Sequence, residues 1–293
     1  MRPRWRIVNL KLLACWPMKI FLTFCFSFLL GTISHSQQKA GTSGLPVNSL
    51  TVYPASISFN LDNGSSKSQV VNIKNTTDKT YQLNVLLMDF NRDTLGEHNY
   101  LEAGVLPQSC APWISIDKPF LEMAPGSSEM VTVTLKVPDS LKGVPEMKWT
   151  MLLFKTVTEK IAPVPSEKVS LATTQSMAIG VHIYQTPPEI THKEVKMLDF
   201  NQLPGGKAYR IQAKNVGGTQ LSCKFSFELT AEATGSKTTL TSKQIPLFPN
   251  QLRFVDFQLP TDLAKGHYTI LAMIDAEDDS VPIEAVKKEI DIN

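Results

Sequence analysis

Cysteine is scarce in this chain. Of its four cysteines, Cys15 and Cys25 fall within the first 36 residues, which leaves Cys110 and Cys223 for everything that follows. Two thiols so far apart make neither a disulfide framework nor a metal cluster, and they read as two separate free thiols. Acidic residues are absent from positions 1–36, which carry Arg2, Arg4, Arg6, Lys11 and Lys19. Without that segment the chain holds 24 basic against 27 acidic residues, about −3. The formal +2 of the whole therefore belongs to the N-terminal segment, and a generic basic surface for nucleic acid is excluded. Long apolar runs are missing too. The candidate at residues 20–30 contains Thr23 and Ser27 and is short for a transmembrane helix, so no membrane span is expected in the mature protein. No long stretch shows a helical period with caps. Beyond residue 36 the histidines are His98, His182, His192 and His267, and none sits in a metal-spaced cluster or a nucleophile elbow. The expectation is a protein that is not an enzyme and uses no cofactor and no metal.

Residues 1–36 have the layout of a signal peptide. Lys19 precedes the apolar run, and Ser34 and Ser36 occupy the small positions of a cleavage site before Gln37. Met18-Lys19 would open a compact signal peptide by itself, which makes Met18 an alternative start. Residues 37–47 form a polar, Gly/Ser-rich lead-in. From there the period is two, as in Gln69-Val70-Val71-Asn72-Ile73-Lys74 and in residues 130–137. Alternation rich in Val, Ile and Thr, broken by Asn-Gly and Pro-Gly turns, predicts half-buried antiparallel strands.

The chain also repeats itself. Ile73-Lys74-Asn75 leading into Tyr81-Gln82-Leu83 has a counterpart in Ala213-Lys214-Asn215 leading into Leu221-Ser222-Cys223. Pro125-Gly126-Ser127, a strand, Val137-Pro138 and Leu141-Lys142-Gly143 have theirs in Pro249-Asn250-Gln251, a strand, Leu259-Pro260 and Leu263-Ala264-Lys265-Gly266. Asn after Lys would end a strand by tolerating left-handed dihedrals and bonding its own backbone. Two copies of one grammar predict an all-β protein of two tandem immunoglobulin-like β-sandwiches, over residues 48–187 and 188–293, with Pro187-Pro188 at the boundary. Residues 91–112 read as a polar loop that lengthens the first.

On these residues the chain resembles the PapD-like periplasmic chaperone superfamily. The resemblance runs over roughly residues 48–188: a first strand ending near Phe59, Val71-Asn72-Ile73-Lys74-Asn75, Trp113-Ile114-Ser115-Ile116, Pro125-Gly126-Ser127-Ser128 and a long strand before Tyr184. It implies an exported periplasmic or cell-envelope chaperone-like protein. Such a protein would bind an envelope or surface polypeptide, pilin-like or adhesin-like, by strand addition at an exposed edge. The candidate edge is residues 169–183, whose apolar face holds Val169, Leu171, Met177, Ile179, Val181 and Ile183. An ordinary core strand alternates in the same way. The family's two basic anchors for a partner's terminal carboxylate would fall near Ser56 and Val181, and neither is basic here; His182 is the nearest basic residue. The alternative function is a structural or adhesive surface module that binds peptidoglycan, glycan or a surface scaffold protein.

The remaining candidates have plain readings. His98 belongs to the polar loop. Glu277-Asp278-Asp279 reads as a hydrophilic hairpin tip, with calcium binding as its functional alternative. Gly205-Gly206 and Gly217-Gly218 read as hairpin turns. Trp113 and Trp149 are expected in the core of the first sandwich, with sugar stacking as the alternative.

Overall fold

The computed structural model of the protein describes residues 49–141, 145–157 and 176–292. Its first ten strands are β1 (Leu50–Tyr53), β2 (Ser56–Phe59), β3 (Ser66–Asn75), β4 (Tyr81–Arg92), β5 (His98–Glu102), β6 (Ile114–Ile116), β7 (Phe120–Met123), β8 (Ser128–Lys136), β9 (Lys148–Thr156) and β10 (Ala178–Gln185). They form two facing sheets, β1-β3-β8-β6 and β2-β10-β9-β4-β5, with β7 pairing β4. Read as A-B-E-D against G-F-C, this is the strand order of an immunoglobulin-like sandwich. The first strand is split between the sheets. β1 runs antiparallel to β3, and after the cis Tyr53–Pro54 bond β2 runs parallel to β10.

Period-two alternation places the core. Val71 and Ile73 of β3 and Val131, Val133 and Leu135 of β8 bury one face of the first sheet. Leu83 and Val85 of β4, Leu152 and Phe154 of β9, and Val181 and Ile183 of β10 bury the opposing face. Each such side chain contributes about 1.5–3 kcal/mol on burial.

The second sandwich comprises β11 (Val195–Gln202), β12 (Ala208–Asn215), β13 (Leu221–Ala231), β14 (Lys237–Thr239), β15 (Lys243–Leu247), β16 (Leu252–Gln258), β17 (Gly266–Asp275) and β18 (Glu284–Ile292). Its sheets are β11-β12-β16 and β14-β13-β17-β18, with β15 also on β13. Ile211, Phe225, Phe227, Phe257, Ile270 and Ile274 lie in its buried core. The two sandwiches share one fold.

The repeated asparagines explain the repeated grammar. Asn75 is fully buried; its Nδ2 donates to the carbonyls of Lys79 (2.7 Å), Met123 (2.9 Å) and Ala124 (3.1 Å), and its Oδ1 accepts the Thr77 N–H (3.0 Å). Asn215 does the same at the end of β12: Nδ2 donates to Thr219 O and Leu247 O, both at 2.8 Å, and Oδ1 accepts the Gly217 N–H at 2.9 Å. Their backbones take up the second half of the grammar. Asn75 accepts from Gly126 N–H and donates to Ser127 O; Asn215 accepts from Asn250 N–H and donates to Gln251 O. Left-handed backbone occurs at the turn instead, at Gly126 (φ 75°) and Asn250 (φ 63°). The expected reason for Lys-Asn is thus corrected in part. Asn75 and Asn215 are not left-handed; each ends its strand with a buried amide that ties two loops together.

Two other expectations change. Gly205 and Gly206 do turn a hairpin between β11 and β12, both with positive φ. Gly217-Gly218 does not, because β12 and β13 lie in opposite sheets. Glycine is required there by close approach: a Cβ on Gly217 would lie 2.7 Å from the Glu194 nitrogen. Residues 91–112 are not simply a loop either, since β4 continues to Arg92 and pairs with β5. Buried Asp89 holds the remainder, accepting from Leu106 N–H (2.9 Å), Ser109 Oγ (2.5 Å) and Thr150 Oγ1 (3.4 Å).

Replacing Asn75 or Asn215 by Ala leaves buried carbonyls and an N–H without partners. Each change should destabilise the protein by roughly 2–4 kcal/mol, measured by urea unfolding. A loss below about 0.5 kcal/mol would contradict the role assigned to the amide.

Candidate functional site

Of the six residues expected to meet a partner, Val169 and Leu171 lie outside the described residues. Val181 and Ile183 are fully buried in the first core, and Met177 and Ile179 pack against it half-buried. Their shared face therefore points into their own sandwich. The strand that carries them is paired with β9 along its whole length and with β2 only from His182 to Gln185.

That partial pairing leaves a backbone edge. His182 N–H donates to Ala55 O and Thr186 N–H to Phe59 O, both on the β2 side, whereas Met177 O accepts from Thr156 N–H on the β9 side. Backbone groups alternate sides along a strand. The N–H and C=O of Ala178 and Gly180 therefore point to the side where, among the described residues, no strand pairs with them. The missing side chain at Gly180 leaves room for Met151 to lie across it: a Cβ would meet the Met151 Sδ at 2.5 Å.

The outer face of this sheet is apolar as well. Trp149, Met151 and Leu153 of β9 alternate with the core residues and join Phe90, Met147, Phe248, Tyr184 and Ile190 in a separate cluster. Trp149 is thus buried as expected, but outside the core of the first sandwich. Its Nε1 donates to Phe90 O at 2.8 Å, and its ring centroid lies 5.0 Å from that of Phe248 in the second sandwich. Backbone bonds reinforce the seam: Met147 N–H to Gly218 O (2.7 Å) and Phe254 N–H to Thr94 O (2.8 Å).

Next to this cluster the structure gathers basic groups that the sequence scatters. His182 is the register partner of Ser56, one of the two positions where the family resemblance places an anchor. Its ring lies 5.1 Å from that of Phe90 and 5.8 Å from that of His98. His98 belongs to β5, with its ring stacked on Tyr100 at 5.7 Å, and so is not in a solvated loop. Arg92 ends β4, and its guanidinium lies 5.8 Å from the Phe248 ring centroid. Arg253 of β16 reaches over Gly96 in the β4–β5 turn. Among the described residues, buried nitrogens on all four have no hydrogen-bond partner: Arg92 Nε, His98 Nε2, His182 Nε2 and Arg253 Nε and Nη1. Burial, then Arg92, holds His98 below the ordinary imidazole value, with Glu97 opposing. Burial, then His98 and Arg92, does the same to His182. No motif spacing reveals this group, because its members come from four strands in two sandwiches.

The other candidates are structural. Trp113 packs half-buried on the first core and lines a cavity of about 520 Å³ with Leu61, Pro107, Pro145 and Pro187. Cys110 and Cys223 are buried and free; burial raises both thiols, that of Cys223 to about 12, which makes them poor nucleophiles. Asp278 in the acidic turn is held to about 2, first by Lys193 at 2.6 Å and then by Ser280. Among the described residues no group of histidine, cysteine or carboxylate side chains is placed to hold a metal, and no helix is long and apolar enough to cross a membrane.

The strand orders define a pair of immunoglobulin-like sandwiches, the first of which shares its first strand between two sheets. No family profile and no curated protein matches the chain. Among solved structures it is similar to the class 5 fimbriae chaperone CfaA (TM-score 0.44, 11% identity, 82% of this chain and 99% of that one). It is also similar to the chaperone YadV (0.42, 10%, 83% and 99%) and to the E. coli chaperone DraB (0.40, 12%, 84% and 96%).

The two histidines make stability depend on pH. Their folded values lie below the ordinary value of 6.5, so the fold favours the neutral rings. Their contribution is complete above pH 6.5 and is lost as pH falls through the folded values. Urea unfolding between pH 7.5 and 5 should show this decline, and the His98→Phe/His182→Phe double variant should show a shallower one. An unchanged slope in the double variant would refute the assignment.

Proposed function

We propose that the protein is a chaperone-like binder of the bacterial periplasm or cell envelope that holds a partner polypeptide by strand addition, without turnover. The observation that carries this reading is the half-paired β10. One edge is occupied by β9, and β2 covers only the last four residues of the other. The partner's backbone would pair with Ala178 and Gly180, extending the sheet from the point where β2 leaves off. Met177 and Ile179 would contribute their half-buried rims, while Val181 and Ile183 keep the strand seated in its own core. The resemblance of the sequence to PapD-like chaperones supports the same reading, with a pilin-like or adhesin-like polypeptide as partner. Neither Ser56 nor Val181 is basic, and burial disfavours the charged form of the neighbouring His182, so terminal-carboxylate anchoring there is not part of the proposal.

Ala178 allows a clean test. Its N–H faces away from β9, so Ala178→Pro removes one edge donor while leaving the β9 ladder intact. A partner captured from an envelope extract by the unaltered protein should be lost with this variant, and the thermal midpoint should stay within a few degrees. In the complex the amides of Ala178 and Gly180 should gain protection from hydrogen exchange. Undiminished capture by a folded Ala178→Pro variant would sink the proposed interface. Ile179→Asp is a poor alternative, because it buries a charge against the core and tests folding instead.

A further inference from the structure

The cavity of about 520 Å³ that Trp113 lines opens beside Pro187-Pro188, at the opposite end of β10 from its unpaired edge. Every described residue that lines it is at least partly exposed, so a molecule entering it meets the side chains themselves. Pro107, Pro145, Pro187 and Pro188 give it stiff apolar walls, and Leu61 and Leu141 add flexible ones. The walls are tied in place. Gln185 Nε2 donates to Leu61 O at 2.7 Å, and Lys148 Nζ donates to Pro107 O at 3.1 Å. The volume falls within the range of small-molecule sites, about 300–1,000 Å³.

The charge around the cavity is one-sided. Glu146 and Lys148 neutralise each other at 3.4 Å, and Glu146 also accepts from Asn250 Nδ2 at 3.2 Å. Asp62 and Glu189 are exposed at the cavity, and among the described residues neither carboxylate has a hydrogen bond or an ion pair. Uncompensated charge of one sign in an apolar cleft focuses its potential there, and the matching ligand is a cation. The walls select its kind. An ammonium is compact and strongly hydrated, whereas a guanidinium is planar, weakly hydrated, stacks on an aromatic face and offers a fork of donors to carboxylates. An aliphatic stem behind it would lie along the prolines and leucines. A saccharide would also stack on Trp113, yet it gains nothing from the unpaired negative charge.

We propose that this cavity binds a guanidinium carried on an aliphatic stem, with the cation between Trp113 and the carboxylates of Asp62 and Glu189. An arginine side chain of a polypeptide and a free guanidino compound both present this chemistry. The site stands apart from Ala178 and Gly180 and does not depend on the strand-addition reading.

Butylguanidinium, butylammonium, butylurea and glucose test the proposal on the intact protein, by calorimetry and tryptophan fluorescence at pH 7.5. Trp113 and Trp149 are the tryptophans beyond residue 36, and Trp149 is buried, so ligand quenching reports on Trp113. Butylguanidinium should saturate below about 10 mM, with the other three each at least about tenfold weaker. The Asp62→Asn/Glu189→Gln double variant should weaken butylguanidinium about tenfold or more and leave butylurea unchanged. Should that variant fail to fold, 1 M sodium chloride should cause a comparable loss in the unaltered protein, because the carboxylates are exposed and screened by salt. N-acetylarginine methylamide separates the sources: binding as tight as butylguanidinium assigns a peptide arginine, and weaker binding a free guanidino compound. Absence of saturation, equal binding of butylurea or butylammonium, tighter binding of glucose, or full binding by the folded double variant would each overturn the proposal.

Discussion

A single buried amide, used twice, organises both halves of this molecule. Asn75 and Asn215 sit fully buried where the second strand of each sandwich ends. Each closes its own turn four residues on and reaches the connection that comes back from the opposite sheet. The backbone at the same residue bonds the Pro-Gly-Ser or Pro-Asn-Gln turn that launches the next strand of its own sheet. Two segments distant in sequence, residues 75–79 and 123–127 in the first sandwich and 215–219 and 247–251 in the second, are thereby fixed at one point. Any side chain without both a donor and an acceptor would leave buried backbone groups unpaired. Sheet order and facing depend on these junctions, because the strands that diverge from them go to different layers.

The first sandwich then departs from an ordinary half-solvated design. Its β2-β10-β9-β4-β5 sheet is apolar on both faces: the inner face closes the core, and the outer face carries Phe90, Trp149 and Met151 toward the second sandwich. A sheet covered on both sides tolerates polar groups only where they are bonded or functional. Against that background the unpartnered nitrogens of Arg92, His98, His182 and Arg253 stand out. They lie where the β4–β5 turn meets β16, and that setting disfavours the charged form of both histidines.

Legibility followed the physics of each feature. Alternation with period two is a local property, so both cores could be read from runs such as Val131-Thr132-Val133. The repeat was visible because Lys-Asn and Pro-Gly/Asn are local signals, although the bonding that joins them is not. The outer face escaped the expectation that Trp149 lies in the core of the first sandwich, although Trp149-Thr150-Met151-Leu152-Leu153-Phe154 is apolar at all but one position. A nearly continuous apolar run is itself the signal of a strand buried on both faces, and it would have moved Trp149 out of the core. The basic cluster had no such signal, since its residues come from β4, β5, β10 and β16. The apolar face from Met177 to Ile183 was read correctly as alternating, but alternation does not say which side meets solvent.

That last distinction bears on how a partner would be held. A strand whose side chains are committed to its own core has only its backbone to offer along the edge. Backbone pairing is tolerant of sequence, so selectivity has to come from what flanks the edge: Met151 lying across Gly180 and the rims of Met177 and Ile179. β2 already forms a parallel extension on the same line, ending where β10 becomes open. The geometry for adding a strand is therefore in use within the chain itself. A partner segment placed before Ser56 would continue a ladder that the protein has begun, at the cost of ordering its own backbone and with no rearrangement of the core beneath it.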